Sequence, residues 1–215
     1  MRPAFRLSAL LGLLGAGAAA HAVDNTYAID AAASDVHWLV YKAGTFSRLG
    51  HNHVIAARGI QGKVTVDAAN SAKSTFEIVI PVAQMEIDNA ALRSGLGQDF
   101  ASVPSADDIA GTRKNMLSER VLVGDMFPTI RLTGAGLSGA SPGQTLKVKV
   151  ELLGRAIELT LPTTVSVTPE LVEASSEFEL NHADLGMQPF SVMMGALQVG
   201  EKLSFSYHIV ARPVP

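Results

Sequence analysis

The chain has 215 residues, 17 Lys and Arg against 20 Asp and Glu, a net charge of −3, 47% hydrophobic residues and no cysteine. Its length is that of one domain, large enough to bury a core without disulfides. The mildly acidic balance with no basic cluster argues against nucleic acid as a partner, and the absence of thiols removes thiolate metal sites, thiol redox chemistry and cysteine nucleophiles.

Arg2 and Arg6 precede an uncharged apolar run from Leu7 to Ala19, and Ala20-His21-Ala22 has the small-x-small form of a cleavage site. This is the pattern of a secretory signal peptide over residues 1–22, cut after Ala22. The run is short for a spanning helix, which needs roughly 20 apolar residues. The expectation is an exported, periplasmic protein with one domain over 23–215, carrying 15 basic residues against 20 acidic ones once Arg2 and Arg6 are gone.

Period-two alternation dominates residues 23–215. Val36, Trp38 and Val40 alternate with His37, Leu39 and Tyr41. In Leu49-Gly50-His51-Asn52-His53, two imidazoles two residues apart share one face of a strand and Asn52 takes the other. Such a pair on an inner face lines a ligand cavity, holds a metal, or makes ordinary structural hydrogen bonds. Val64 and Val66, then Phe76, Ile78 and Ile80, continue the alternation.

The pattern breaks from Asn89 to Arg120. A short helix is expected near Asn89, and Ser105-Ala106-Asp107-Asp108 resembles a capping box opening a surface helix over 105–118 that crosses one end of the fold. Gly124-Asp125 and Phe127-Pro128 return the chain to a strand at Thr129–Thr133. Ser141-Pro142-Gly143 signals a loop, and Gly154-Arg155 a tight hairpin between the alternating runs 146–152 and 157–161. Phe178 with Leu180, and Leu203, Phe205, Tyr207 and Ile209, complete at least eight such segments.

One apolar and one wet face per strand is the mark of antiparallel sheet. A sheet of this size avoids exposed edges by closing into a barrel of about eight strands, whose interior holds one small ligand. A two-sheet sandwich is the competing architecture. The fold class expected is therefore all-β with a small helical insertion.

Several segments together resemble the YceI family of polyisoprenoid-binding, lipocalin-like proteins. They are Tyr27-Ala28-Ile29-Asp30, Ser34 to Val40, Leu49 to His53 with Gly59 and Gly62-Lys63-Val64, Asp125 to Ile130, and Asn181 to Met187. The resemblance implies an extended eight-stranded antiparallel lipocalin-like barrel in the periplasm. It also implies an elongated apolar cavity for a long isoprenoid chain, such as a polyprenyl lipid or a quinone tail. A family association with membrane b-type cytochromes makes such a cytochrome an expected partner, with a homodimer left open. This chain departs from the resemblance in carrying His182 where the family's closing loop usually has arginine.

The expected ligand-binding set is Trp38, Val40, Phe46, His51, His53, Phe76, Ile78, Ile130, Val148, Val150, Phe178, His182 and Phe205. The apolar members would hold the tail, with His51 and His53 near its polar end. No catalytic residue and no cofactor is expected beyond the lipid or quinone itself. The alternative is a zinc or copper protein with a hydrolytic or redox role, using His51 and His53 with His182 or His37. Met187, Met193 and Met194 suggest a soft lip at the cavity mouth.

Overall fold

The period-two segments become strands, and their registers place every apolar set on a common inner face. The computed structural model describes residues 25–140 and 143–214. The expected leader over 1–22 and the Ser141-Pro142 part of the expected loop lie outside the described residues. In chain order the strands are β1 (Asn25–Ile29), β2 (Asp35–Ala43), β3 (His53–Ala56), β4 (Gln61–Val66), β5 (Thr75–Pro81) and β6 (Glu86–Ile87). After the helices α1 (Ala90–Ser94) and α2 (Ala106–Leu117) come β7 (Thr129–Ser138), β8 (Gln144–Leu152), β9 (Arg155–Val167), β10 (Val172–Asn181), β11 (Ser191–Val192) and β12 (Leu197–Pro213).

Eight of these form a closed antiparallel ring in the order β1-β4-β5-β7-β8-β9-β10-β12. Tyr27 opposite Pro213 and Ile29 opposite Ala211 complete the closure. The barrel is thus the architecture, and the sandwich is not. The long β12 also pairs β2 along residues 198–208, and β3 and β6 extend from β2.

Cross-strand neighbours show why the sequence closes this way. Ile78 faces Leu132, Leu132 faces Val150, and Val150 faces Ile157, an apolar belt around four strands. One residue over, Arg131 on the outer surface pairs with Glu77 and, at 3.9 Å, with Glu151. Sliding any strand by one residue would exchange these two sets, so the pattern pins the register. Phe76 lies opposite Gly134, where a Cβ would collide with its ring. The absent side chain at 134 is what lets the ring lie flat across the sheet.

The hairpin expected at Gly154-Arg155 is one residue earlier. Leu152 pairs Arg155, so the turn residues are Leu153 (φ 53°) and Gly154 (φ 70°). Two successive positive φ values make the primed turn whose twist matches its strands. The leucine at its first position carries no turn signal, which is why the expected turn is displaced.

Both expected helices form. Asn89 caps α1, its side chain accepting from the Leu92 amide at 3.1 Å. Ser105 and Asp108 make the reciprocal capping box of α2. Ile109, Met116 and Leu117 pack against the core, and Arg113 donates to the carbonyls of Met85, at 2.6 Å, and Ala83. This side chain fastens the helix across one end of the barrel.

Candidate functional site

The barrel encloses a cavity of about 560 Å³, within the range of about 300–1,000 Å³ usual for small-molecule sites. Trp38 and Val40 on β2, Phe76 and Ile78 on β5, and Ile130 on β7 line it. So do Val148 and Val150 on β8, Phe178 on β10 and Phe205 on β12. Each follows from the inward phase of its strand. Phe178 stacks on Phe205 at 5.3 Å and Trp38 on Phe205 at 6.1 Å, between ring centroids, giving one wall an aromatic surface. Tyr207 extends this wall, its hydroxyl donating to Thr163 Oγ1 at 2.9 Å. Burial pushes its phenol above its ordinary pKa.

Phe46 is a correction. It does not line the cavity: it precedes a single helical turn at Ser47–Leu49 and is 46% exposed. The β2 alternation ends at Ala43, so an aromatic three residues further on no longer shares its phase.

His51, His53 and His182 all face the cavity. His51 and His53 lie edge to face, 6.2 Å between centroids. His53 Nδ1 is 2.6 Å from Asp88 Oδ2, and its Nε2 lies 3.4 Å from Thr112 Oγ1 on α2. Asp88 is buried and takes a positive φ of 55°, a conformation an L residue adopts at a cost. Its other oxygen accepts from Arg93 Nη1 at 2.6 Å and from the Val54 amide at 3.0 Å. Arg93 also donates to the Asn52 carbonyl at 2.7 Å and to the Ser102 carbonyl at 2.8 Å. The guanidinium is thereby occupied, and it is buried away from the cavity lining.

Burial alone would raise the Asp88 carboxyl. The hydrogen bonds from His53 and Val54, with the charges of His53 and Arg93, outweigh it and hold the carboxyl below its ordinary value. A carboxylate only accepts, so Nδ1 of His53 carries a proton and is the donor. In neutral His53, Nε2 is then left as an acceptor at the cavity edge.

His51 is held by α2 as well: Nε2 is 3.6 Å from Asp108 Oδ2. Hydrogen bonds from the Ser105 hydroxyl and amide keep that carboxyl below its ordinary value. Asp108, expected to cap the helix, thus also contributes a charge beside an imidazole.

The histidine set of the metal alternative does not assemble. His37 sits with Asp35 at 2.6 Å and is absent from the cavity lining. His182 Nδ1 is 2.9 Å from the Glu201 carbonyl, which fixes that nitrogen as a donor. Among the described residues no three His, Cys, Asp or Glu side chains group as metal ligands.

Asp88, Arg93, Thr112 and Asn115 do not stand out in the sequence. Arg93 lies in the region without alternation and Asp88 just before it, 35 residues or more from His53. Their one sequence signal is charge in a stretch that otherwise looks like loop and short helix. Met187 lines the cavity, while Met193 and Met194 stand in solvent.

No curated protein matches the sequence. Among solved structures, BcnA of Burkholderia cenocepacia is similar at a TM-score of 0.61 and 13% identity, covering 85% of this chain and 98% of that one. The Campylobacter jejuni YceI protein is similar at a TM-score of 0.52 and 9% identity, covering 75% and 84%. At these identities the likeness establishes the fold. The YceI-like domain family matches residues 27–211, nearly the whole of the barrel just described, and the chain belongs to that family.

Proposed function

We propose that the protein is a periplasmic carrier for a long-chain isoprenoid lipid or isoprenoid quinone. The tail lies in the barrel and the polar end beside His51 and His53. The observation that carries this reading is the cavity itself: about 560 Å³ walled by aliphatic and aromatic side chains. Each ligand methylene moved from water into such a wall contributes about 0.8 kcal/mol, so a prenyl chain binds by burial alone. No nucleophile, metal or cofactor is needed for that task, and binding without catalysis is the role in keeping with the family.

The polar end suits a head that donates or accepts hydrogen bonds. His53, oriented by Asp88, offers Nε2, while Thr112 and Asn115 add a hydroxyl and an amide from α2. The 3.4 Å spacing between Nε2 and Thr112 Oγ1 is long for a hydrogen bond, and a ligand oxygen competes with it readily.

Trp38, the chain's one tryptophan, stands in the wall and reports occupancy. Titration with a quinone bearing an isoprenoid tail should quench its fluorescence saturably. The same quinone without the tail should not. Equal quenching by both, or none by either, contradicts the reading.

A further inference from the structure

The end of the barrel that holds the histidines is rimmed by two loops whose apolar side chains stand in water. Phe46 is 46% exposed, Leu49 71%, Met193 57% and Met194 105%. The loops form one unit. The Phe46 amide donates to the Ala196 carbonyl at 2.7 Å. Gly44 (φ 90°) approaches so closely that a Cβ there would stand 2.5 Å from the same oxygen. Lys42, Gly50, Val192 and Leu197, from the same segments, line the cavity. The exposed tips are therefore continuous with the cavity wall.

Two further observations bear on what this rim meets. Met193 and Met194 both hold left-handed backbone, φ 51° and 54°. Non-glycine residues avoid that region, and a strained pair persists where the surrounding structure imposes it, most often at functional segments. Here the strain presents two long, unbranched, adaptable side chains to solvent. The two loops themselves are also basic, with Glu201 following the second and Asp108 of α2 beside His51. Segments 42–50 and 190–200 contain Lys42 and Arg48 and no Asp or Glu, in a chain whose net charge is −3. Arg120 stacks over Phe190 at 4.5 Å and adds a third cation beside them. Apolar tips with a basic collar complement an anionic lipid surface.

We propose that this rim docks on the anionic face of a bilayer. Phe46, Leu49, Met193 and Met194 enter the headgroup layer, and Arg48 and Lys42 meet lipid phosphates. A tail then passes between the membrane and the cavity without crossing bulk water. The inference rests on the carrier reading above, because that ligand resides in a membrane.

The test is cosedimentation of the chain with vesicles of pure phosphatidylcholine, or of equal parts phosphatidylcholine and phosphatidylglycerol. It is combined with transfer of a fluorescent prenyl probe out of the same vesicles. The wild type should pellet with the anionic vesicles and leave them in high salt. Arg48→Gln should bind them about fivefold more weakly, the worth of one basic residue near such a surface. The combined variant F46S/L49S/M193S/M194S should stay in the supernatant and take up the probe more slowly, with unchanged equilibrium affinity. The pair M193G/M194G removes two tips while relieving the left-handed backbone. It should keep or raise Tm and still lose vesicle binding, which separates docking from folding. A wild type that ignores both vesicles, or a rim that captures a protein while probe transfer stays independent of vesicle concentration, overturns the docking proposal and leaves the carrier reading intact. Vesicle binding with no probe uptake supports docking and overturns the carrier reading.

Discussion

Asp88 holds His53 at 2.6 Å through one carboxylate oxygen while the other is held by Arg93, also at 2.6 Å. The relationship ties the cavity's polar end to a buried ion pair, so the orientation of His53 and the stability of the fold share one residue. Removing one partner of such a pair strands the other charge and typically costs about 3–5 kcal/mol. Asp88→Asn should therefore destabilise by that order in urea unfolding. Arg93→Met should cost a similar amount. The double variant should cost less than the sum of the two, because no charge is left stranded.

Acid should reveal the same carboxylate. Asp88 lies below its ordinary value of 3.8 in the fold, so as pH falls the unfolded chain takes up this proton first. Its stabilisation is complete above the ordinary aspartate pKa and is lost as pH drops through the lowered folded value. Melting temperature should fall more steeply for wild type than for Asp88→Asn between neutral pH and about pH 3. Parallel curves would show that Asp88 carries no such linkage.

A wedge in the wall separates an open cavity from a filled core. In a packed interior, Val150→Phe costs about 1–3 kcal/mol. Here Val150 borders open space, and the added ring should be accommodated for less than that. It should displace about three ligand methylenes, weakening a prenyl ligand roughly fiftyfold. Isothermal titration and chemical unfolding on the same variant check both halves.

His53→Phe keeps the ring's bulk and removes the acceptor at the polar end. It should leave binding of a headless isoprenoid hydrocarbon unchanged and weaken a hydroxyl-headed ligand by roughly tenfold, the worth of about one hydrogen bond. Equal effects on both ligands would place the polar head elsewhere. The variant also strands Asp88, so its stability must be measured alongside.

Arg113 reaches from α2 to the carbonyls of Ala83 and Met85. Arg113→Met should raise amide exchange across α2 selectively, by an amount set by charged hydrogen bonds worth about 1.5–3 kcal/mol each. The β7–β8 ladder should remain protected. Uniform loss of protection would mean that the helix and the barrel open as one unit.

The barrel is legible in the sequence because alternation is a local record of which face is buried. Val36, Trp38 and Val40, or Phe76, Ile78 and Ile80, show their phase within five residues. The capping box is equally local: Ser105 and Asp108 satisfy each other across one helical turn. What stays hidden depends on contacts far apart in the chain. Asp88 reaches His53 only through the pairing of β3 with β6, a two-residue strand with no alternation to display. Residue type does not sort His37 from His51 and His53, yet strand phase alone sends it to the other face of β2. Phe46 fails because phase cannot be carried past the end of a strand.

The most direct test of the carrier account is native mass spectrometry of the protein, purified from the cells that naturally make it, with organic extraction of whatever accompanies it. The account predicts an adduct that yields an isoprenoid lipid or quinone, and its loss in Val150→Phe. A bare polypeptide mass, or a shift from a bound metal ion that depends on His51 and His53, would contradict it.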